Sequence, residues 1–401
     1  MKLLIIADDI TGLNSVGAEF ARFGLKVKNI IDINYLISFI EAEDSFILGF
    51  DTNSRDLNPI EAANKVSEVM NVLPIQDLDW ILKQSDSAFQ GNVLLEILAF
   101  QKAISEKPLL FAPACPSIGR ITKDGKHHIG SGEQPIDLNE LASENCAKRL
   151  GKLVLDNSRG SSVANLDIEI ADAETDKDLE NIIKCAVSRE HQFIAGSVGI
   201  AKALALYLFI ETCRTAPPSL IVIGSFQKNT YSQFDFLEKS GLVKSFEVTS
   251  DNDKHEVLLR KVMYSLNDGF SVALFPKDFK KTSLGKEQYP ILPRSTIKRN
   301  FASYKALLTQ LLSMADDLIA GIVVAGGATS EILFRDVLNV SLLTDVTHIS
   351  DGVTGMLAQS EKGKNYCLVT KAGTWGTKDA FIFSLAWIQQ NTQKKSQRLD
   401  V

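Results

Sequence analysis

Short, wholly apolar runs alternate along the chain with longer amphipathic stretches. In the first half the runs are Leu3–Ala7, Val27–Ile31, Phe46–Phe50, Trp80–Leu82, Leu109–Ala112 and Leu153–Leu155, the last ending at Asp156. Helical spacing is carried by Ser15–Phe23 and Ile60–Val72. A run without polar alternation marks a strand buried on both faces, and such strands separated by helices indicate a parallel sheet covered on either side. A strong helix over Ile200–Thr212 then runs into Thr215-Ala216-Pro217-Pro218. Two prolines remove backbone donors and favour an extended connection. Beyond them Leu220–Ile223, Val272–Phe275, Gly321–Val324 and Tyr366–Val369 repeat the alternation. The pattern predicts an α/β protein of two domains, each a mostly parallel sheet covered by helices. Residues 1–215 form the first, 216–390 the second, and 391–401 a polar tail.

Composition narrows the function classes. Of 401 residues, 45% are hydrophobic and 23% charged, so each half can bury a core without metals or disulfides. A net charge of -6 argues against nucleic acid as the main partner, which would require a field of Lys and Arg. The cysteines Cys115, Cys146, Cys185, Cys213 and Cys367 are odd in number and form no CxxC pair. They read as free thiols in a reducing compartment, with Cys115 in a Pro- and Gly-rich stretch expected to be exposed. The apolar run at the start is shorter than a signal-peptide core, and Ile200–Ile210 contains Lys202 and is too short to span a bilayer. The expectation is a cytoplasmic protein with no membrane partner. A homo-oligomer is compatible with the sequence.

In a parallel sheet the ligand sits beyond the carboxyl ends of the strands, so the polar residues there are the candidates. The first strand delivers Asp8-Asp9-Ile10-Thr11-Gly12. Paired carboxylates can bind a metal, accept hydrogen bonds from sugar hydroxyls or act as a base; the bland alternative is that one of them caps the next helix. Asp51-Thr52-Asn53-Ser54-Arg55, Lys83-Gln84-Ser85-Asp86-Ser87 and the stretch Pro113 to Thr122 follow three more strands. Arg55, Lys83 and Arg120 are thereby expected opposite Asp8, Asp9 and Asp86, an arrangement suited to a polyhydroxy carboxylate. Asp8, Asp9 and Asp86 stand as alternatives for the base, and Thr11, Ser87 and Gly119 join the substrate-binding set. His127-His128 are adjacent on an edge strand or loop and point to opposite faces, so no shared metal is assigned to them. No metal ligands are assigned elsewhere.

Three glycine turns follow strands in the second half. They are Gly224-Ser225, Gly326-Gly327-Ala328-Thr329-Ser330 and Lys371-Ala372-Gly373-Thr374-Trp375-Gly376. Glycines let the backbone approach an anion, and exposed N–H groups at helix starts bind phosphate. Ser225, Gly326, Gly327, Ala328, Thr329, Ser330, Gly373 and Gly376 are the nucleotide-binding candidates. Lys371, expected on an exposed turn, would meet the migrating phosphate. No GxxxxGK[ST] loop and no protein-kinase signature is present.

Taken in order, these segments resemble the four-carbon acid sugar kinases. Asp8-Asp9-Ile10-Thr11-Gly12, Lys83 to Ser87 with Gly91-Asn92, Pro113-Ala114 through Gly119-Arg120-Ile121-Thr122 and Gly125, and Gly196-Ser197-Val198-Gly199 match motifs of the family's sugar-binding half. The three glycine turns match its nucleotide-binding half. The resemblance implies ATP-dependent phosphorylation, with Mg²⁺, of a terminal hydroxyl of a tetronate or 3-oxo-tetronate. It also implies a reaction in the cleft between the domains. Asn14 stands where the family usually has Asp, Ala88 and Gln90 replace its Thr and Arg, Ala328 an acid, and Trp375 a Phe. Two rivals differ in class. A nicotinamide-dependent oxidoreductase would need a G-x-G-x-x-G after a strand, which is missing. A non-catalytic acid-sugar sensor draws on Asn14, Gln90 and Ala328.

Overall fold

The structure is a computed structural model that describes residues 1–104, 107–130, 132–138, 147–151, 168–249, 255–277, 279–282 and 294–392. Leu153–Leu155 with Asp156, Cys146 and most of the expected polar tail lie outside the described residues. Two compact units emerge, Met1–Leu208 and Phe209–Val401.

The first unit is built on eight parallel strands: β1 (Lys2–Ala7), β2 (Lys28–Ile30), β3 (Phe46–Asp51), β4 (Trp80–Gln84), β5 (Leu109–Ala112), β9 (Ala147–Gly151), β10 (Ile168–Ala171) and β11 (Phe193–Gly196). Between β5 and β9 in the chain, β6 (Ile121–Lys123), β7 (Lys126–His128) and β8 (Ile136–Asp137) form a small antiparallel sheet. The large sheet runs β2-β3-β1-β4-β11-β5-β10-β9. Leu3 to Ala7 are each 0% exposed, as expected of a central strand covered on both faces. Val66, Ile97, Phe100, Phe111 and Phe193 build the core on it. Because the strands are parallel, β3, β1, β4, β11 and β5 end on one edge of the sheet. There Ala7 pairs with Asp51, Ile6 with Lys83, and Gly196 with both Gln84 and Ala112.

The second unit has β12 (Leu220–Ile223), β13 (Val243–Val248), β14 (Ser271–Pro276), β15 (Ile322–Ala325), β16 (Val340–Ser350), β17 (Val353–Ser360) and β18 (Asn365–Lys371). Their order is β13-β14-β12-β15-β18-β17-β16. The first five are parallel, while β17 pairs antiparallel with both β18 and β16. The three strands that precede the glycine turns, β12, β15 and β18, are neighbours. Their turns therefore emerge side by side. Among the described residues no helix is long and apolar enough to cross a membrane. Cys115 is buried and not exposed, as are Cys185 and Cys367, while burial pushes the half-buried Cys213 thiol up to about 12.

Candidate functional site

At the end of β1 the chain turns into the helix Ile10–Arg22 through Asp8 and Asp9. Asp9 caps that helix, its Oδ1 accepting the Gly12 N–H at 2.6 Å. A Cβ on Gly12 would lie 2.8 Å from both Asp9 Oδ1 and Gln84 Nε2, so glycine is needed for the close approach. Arg55 enters from the loop after β3, where the Ser54 and Arg55 N–H groups donate to the Asp8 carbonyl at 2.9 and 3.2 Å. Its guanidinium donates from Nε and Nη2 to the two carboxylate oxygens of buried Asp8 at 2.8 and 2.9 Å. Nη1 lies 2.7 Å from Asp9 Oδ2, and Nη2 lies 4.0 Å from Asp86 Oδ2. The hydrogen bond to Asp8 raises the Arg55 pKa further. The predicted meeting of Arg55 with Asp8, Asp9 and Asp86 thus occurs, but its planar fork is filled by Asp8 and its remaining nitrogen by Asp9. Three carboxylates around one cation leave negative charge in excess, which suits donors such as sugar hydroxyls.

The Arg55 loop is held from behind. Gly91, at φ +80, is in contact with Arg55: a Cβ there would sit 3.2 Å from Arg55 Cγ. The neighbouring Asn92 donates to the Leu57 carbonyl at 2.9 Å. Lys83 departs from expectation. β4 runs on to Gln84, which places Lys83 within the strand and 1% exposed. Its ammonium lies 2.7 Å from Glu96 Oε2 and donates to the Gln84 carbonyl at 2.9 Å. Glu96 Oε1 accepts from Ser54 Oγ at 2.6 Å, Ser54 meets Thr52 Oγ1 at 2.7 Å, and Thr52 donates to Ala7 O at 2.8 Å. The charge of Lys83 is therefore compensated inside the protein, where it fixes the 52–55 loop. Glu96 is not among the residues that the strand ends single out. Its signal is an acid set among Val93, Ile97 and Phe100 on the buried face of the helix Val93–Ile104.

Arg120 differs from Arg55. Its Nη1 donates to Ser87 Oγ at 2.5 Å, and among the described residues no carboxylate lies within 4.0 Å of it. Gly119, at φ +78, closes the turn just before it. The 85–90 loop that carries Ser87 is braced by Asp86, whose Oδ1 accepts the Ala88 N–H at 2.7 Å. His127 braces it from β7, with Nε2 2.8 Å from the Ser87 carbonyl and Nδ1 3.0 Å from Thr122 Oγ1. A carbonyl only accepts, so Nε2 carries the hydrogen and Nδ1 accepts from the hydroxyl. Burial lowers the His127 pKa and favours this neutral form. Gln84 Oε1 and Ser85 Oγ are buried at the same strand end without a partner among the described residues. Thr11 is exposed on the first turn of its helix, and Asn14 accepts from Asn29 at 2.8 Å.

In the second unit the three glycine turns touch. A Cβ on Gly224 would fall 1.7 Å from Thr329 Oγ1, and one on Gly373 2.3 Å from Ser225 Oγ. Gly326, at φ +114, lies against Ser225, and its N–H donates to the Lys371 carbonyl at 3.0 Å. Gly327 faces open space, Ala328 follows it on the turn, and Ser330 Oγ donates to Gly326 O at 3.0 Å. Gly376 takes φ +91.

Lys371 is not on an exposed turn. β18 extends two residues past the apolar run, so Lys371 ends the strand at 1% exposure. Its ammonium donates to Ala372 O at 2.8 Å and lies 3.4 Å from Thr230 Oγ1, and burial lowers its pKa to about 8. A partly desolvated cation among carbonyls and hydroxyls, beside a glycine turn, is ready to meet an anion.

The chemistry of each unit agrees with the comparisons. A model of a sugar-binding N-terminal domain matches residues 3–147, and a model of a nucleotide-binding C-terminal domain matches residues 220–381. The chain belongs to the four-carbon acid sugar kinase family. It is similar to a D-threonate kinase of Salmonella typhimurium, at 28% identity over 59% of this chain and 60% of that protein. A D-erythronate kinase of Heliobacterium modesticaldum is 25% identical over 60% of this chain and 61% of that protein. The match thus spans about three fifths of the length of these two relatives. A D-threonate kinase of Bordetella bronchiseptica is 23% identical over 94% of this chain and 95% of that protein. A solved chain from Bordetella bronchiseptica, a domain-swapped dimer with bound citrate, has the same fold. Its TM-score is 0.65 at 19% identity, covering 97% of this chain and 98% of that one.

Proposed function

We propose that this member of the family is an ATP-dependent kinase acting on a terminal hydroxyl of a tetronate or 3-oxo-tetronate. Residues 1–215 hold the acid sugar and 216–390 the nucleotide. The observation that carries the reading is the division of chemistry between two family-matched segments. Carboxylates and arginines gather in the segment matched to sugar binding, and a buried lysine with three joined glycine turns in that matched to nucleotide binding.

Roles follow from what each group already touches. With its fork on Asp8, Arg55 orients the carboxylates; Arg120, whose described partner is Ser87, takes the substrate carboxylate. Asp86 Oδ2, at 4.0 Å from Arg55, is the least engaged of the carboxylate oxygens and accepts the proton of the attacking hydroxyl. The substrate's hydroxyl oxygen, its proton now on Asp86, bonds to the γ-phosphorus as the bond from that phosphorus to the bridging oxygen of ADP breaks. Positioning and charge neutralisation dominate such a transfer, and Lys371 supplies positive charge to the phosphate. Among the described residues no group of three or more His, Cys, Asp or Glu could hold a metal. Mg²⁺ in this reading arrives with the substrate, as MgATP, on phosphate and water oxygens. The use of ATP as co-substrate places the protein in the cytoplasm, and the dimeric solved relative favours a homo-oligomer.

The test is ADP release across sugar acids of four to six carbons and their neutral alcohols. Threonate or erythronate should be turned over and threitol not. Equal turnover of acid and alcohol would remove the carboxylate from the recognition, and failure of every acid to release ADP would return the chain to the sensor class.

A further inference from the structure

The turn after β18 carries an asymmetry between its carbonyls and its amides. Each carbonyl from Ala372 to Thr377 accepts a hydrogen bond from within the unit. Lys371 Nζ donates to Ala372 O at 2.8 Å, and Thr230 Oγ1 to Gly373 O at 2.8 Å. Asn229 Nδ2 donates to Thr374 O and Gly376 O, both at 3.0 Å. Gln233 Nε2 reaches Trp375 O at 3.0 Å and Gly376 O and Thr377 O at 2.9 Å. Of the amides, Ala372 N–H donates to Gly352 O and Trp375 N–H to Ala372 O. Those of Gly373, Thr374, Gly376 and Thr377 meet no acceptor among the described residues.

Three of the donors, Asn229, Thr230 and Gln233, stand on the first two turns of the helix Lys228–Ser240, on one face by their spacing. Thr230 and Gln233 are both 0% exposed, although the turn they hold is mostly exposed. Gln233 commits its amide nitrogen to three carbonyls while its Oε1 is buried without a partner among the described residues. An unpartnered buried acceptor costs stability, so a side chain kept in this state is serving something other than the core. A turn with its carbonyls tied down and several N–H groups left over is a concave anion site, of the kind that cradles phosphate. A Cβ on Gly373 would collide with Ser225, so the same turn is packed against the first glycine turn.

We infer that Asn229, Thr230 and Gln233 are positioning residues that fix the 372–377 turn so that the N–H groups of Gly373, Thr374, Gly376 and Thr377 bind a phosphate of ATP or ADP. This rests on the nucleotide reading of the second unit given above, and it assigns the phosphate contact to backbone amides and their support to one helix face. Lys371, anchored on the same carbonyls, adds its charge to the same anion.

The experiment uses the full chain with Gln233→Met, Thr230→Val, Thr230→Ser and Asn229→Ala, each checked for folding by thermal melting. Calorimetry then compares ADP with adenosine. Gln233→Met and Thr230→Val should weaken ADP by roughly ten- to a hundredfold, the scale of losing well-aimed bonds to a charged oxygen, while adenosine is nearly unchanged. Thr230→Ser keeps the hydroxyl and should bind ADP like the parent. A merely structural role would weaken both ligands alike or neither. Should Gln233→Met fail to fold, Asn229→Ala, on a half-buried position, gives the same comparison. A parent that binds ADP and folded variants that keep the parent's preference for ADP over adenosine overturn the inference alone. A parent that binds neither ADP nor ATP overturns the nucleotide reading and the inference with it.

Discussion

Lys371→Met asks whether the buried ammonium is held in the fold at a cost to stability. Burial lowers its pKa from 10.5 to about 8. At about 1.4 kcal/mol for each pKa unit, keeping it charged below pH 8 costs the folded state roughly 3 kcal/mol. Methionine keeps the unbranched length and most of the volume without the charge. It forfeits the hydrogen bond to Ala372 O at 2.8 Å, worth about 1 kcal/mol, although Trp375 N–H still reaches that carbonyl. The variant should therefore be more stable than the parent at pH 7 by about 2 kcal/mol.

The pH dependence separates this from ordinary repacking. Between about 8 and 10.5 the unfolded parent holds a proton on Lys371 that the folded parent has released, so the parent gains stability as pH rises through that window. The methionine variant has nothing there to titrate. Its advantage should be complete below pH 8 and gone near pH 10.5. Urea unfolding of both proteins at pH 7 and pH 10 measures the gap. Turnover should fall roughly a hundredfold, the scale of losing one oriented charge donor at the reacting phosphate. A variant less stable than the parent at pH 7 would refute the reasoning and make Lys371 a structural pin. Unchanged turnover would remove it from the chemistry.

Three other substitutions address the remaining assignments. Lys83→Met leaves Glu96 buried without its cation and should cost about 3–5 kcal/mol in unfolding experiments, much of it recovered by adding Glu96→Leu; no recovery would show the two do not act as a pair. Arg120→Lys keeps the charge but loses the fork, so the KM for the acid should rise roughly tenfold with the KM for ATP unchanged; a shift in both would place Arg120 outside the acid site. Gly224→Ala puts a methyl 1.7 Å from Thr329 Oγ1 and should cost about 1–3 kcal/mol and raise the KM for ATP, whereas an unaltered melting temperature would mean the turns are not in contact.

The strands were readable because their interiors are apolar on both faces, and the strand ends because polar residues interrupt them. Where a polar residue belongs to the strand, that rule fails. Lys83 and Lys371 each lie inside a strand that continues beyond its apolar run, so a reading that ends the strand with the run puts Lys83 in the following loop and Lys371 on an exposed turn. Their burial depends in part on groups far away in the chain, Glu96 for one and Thr230 for the other. Likewise the residue types around Asp8 pointed to paired charges. That Arg55 would spend its fork on Asp8 while Arg120 meets Ser87 is decided by distances of a few ångströms that no spacing rule contains. The glycine turns were visible one by one, but not their contact, which needs β12, β15 and β18 to be neighbours. The β16–β17 hairpin was not read, because β16 alternates exposure and lacks a buried apolar run.

The departures from the family pattern can now be weighed by what surrounds them. Asn14 accepts from Asn29, and a Cβ on Gly49 would sit 2.3 Å from Asn29 Oδ1. Among the described residues neither Asn14 nor Asn29 bonds to Arg55, Asp8, Asp9 or Asp86, and an Asp at position 14 would accept the same hydrogen bond. Replacing Asp by Asn there removes a charge at an exposed position and leaves the carboxylate cluster whole. Gln90 is a different case. It is exposed at the end of the loop braced by Asp86 and His127, one residue before the Gly91 that makes room for Arg55. An arginine there would have added a cation to the loop that carries Ser87, the partner of Arg120. In the proposed function, where Arg120 takes the substrate carboxylate, the missing arginine concentrates that contact on Arg120, so a substitution at Arg120 should harm acid binding more in this chain than in relatives that keep both cations. Introducing Gln90→Arg into Arg120→Lys tests this directly. Recovery of the acid's KM would show the two positions share one anion, and no recovery would confine that role to Arg120.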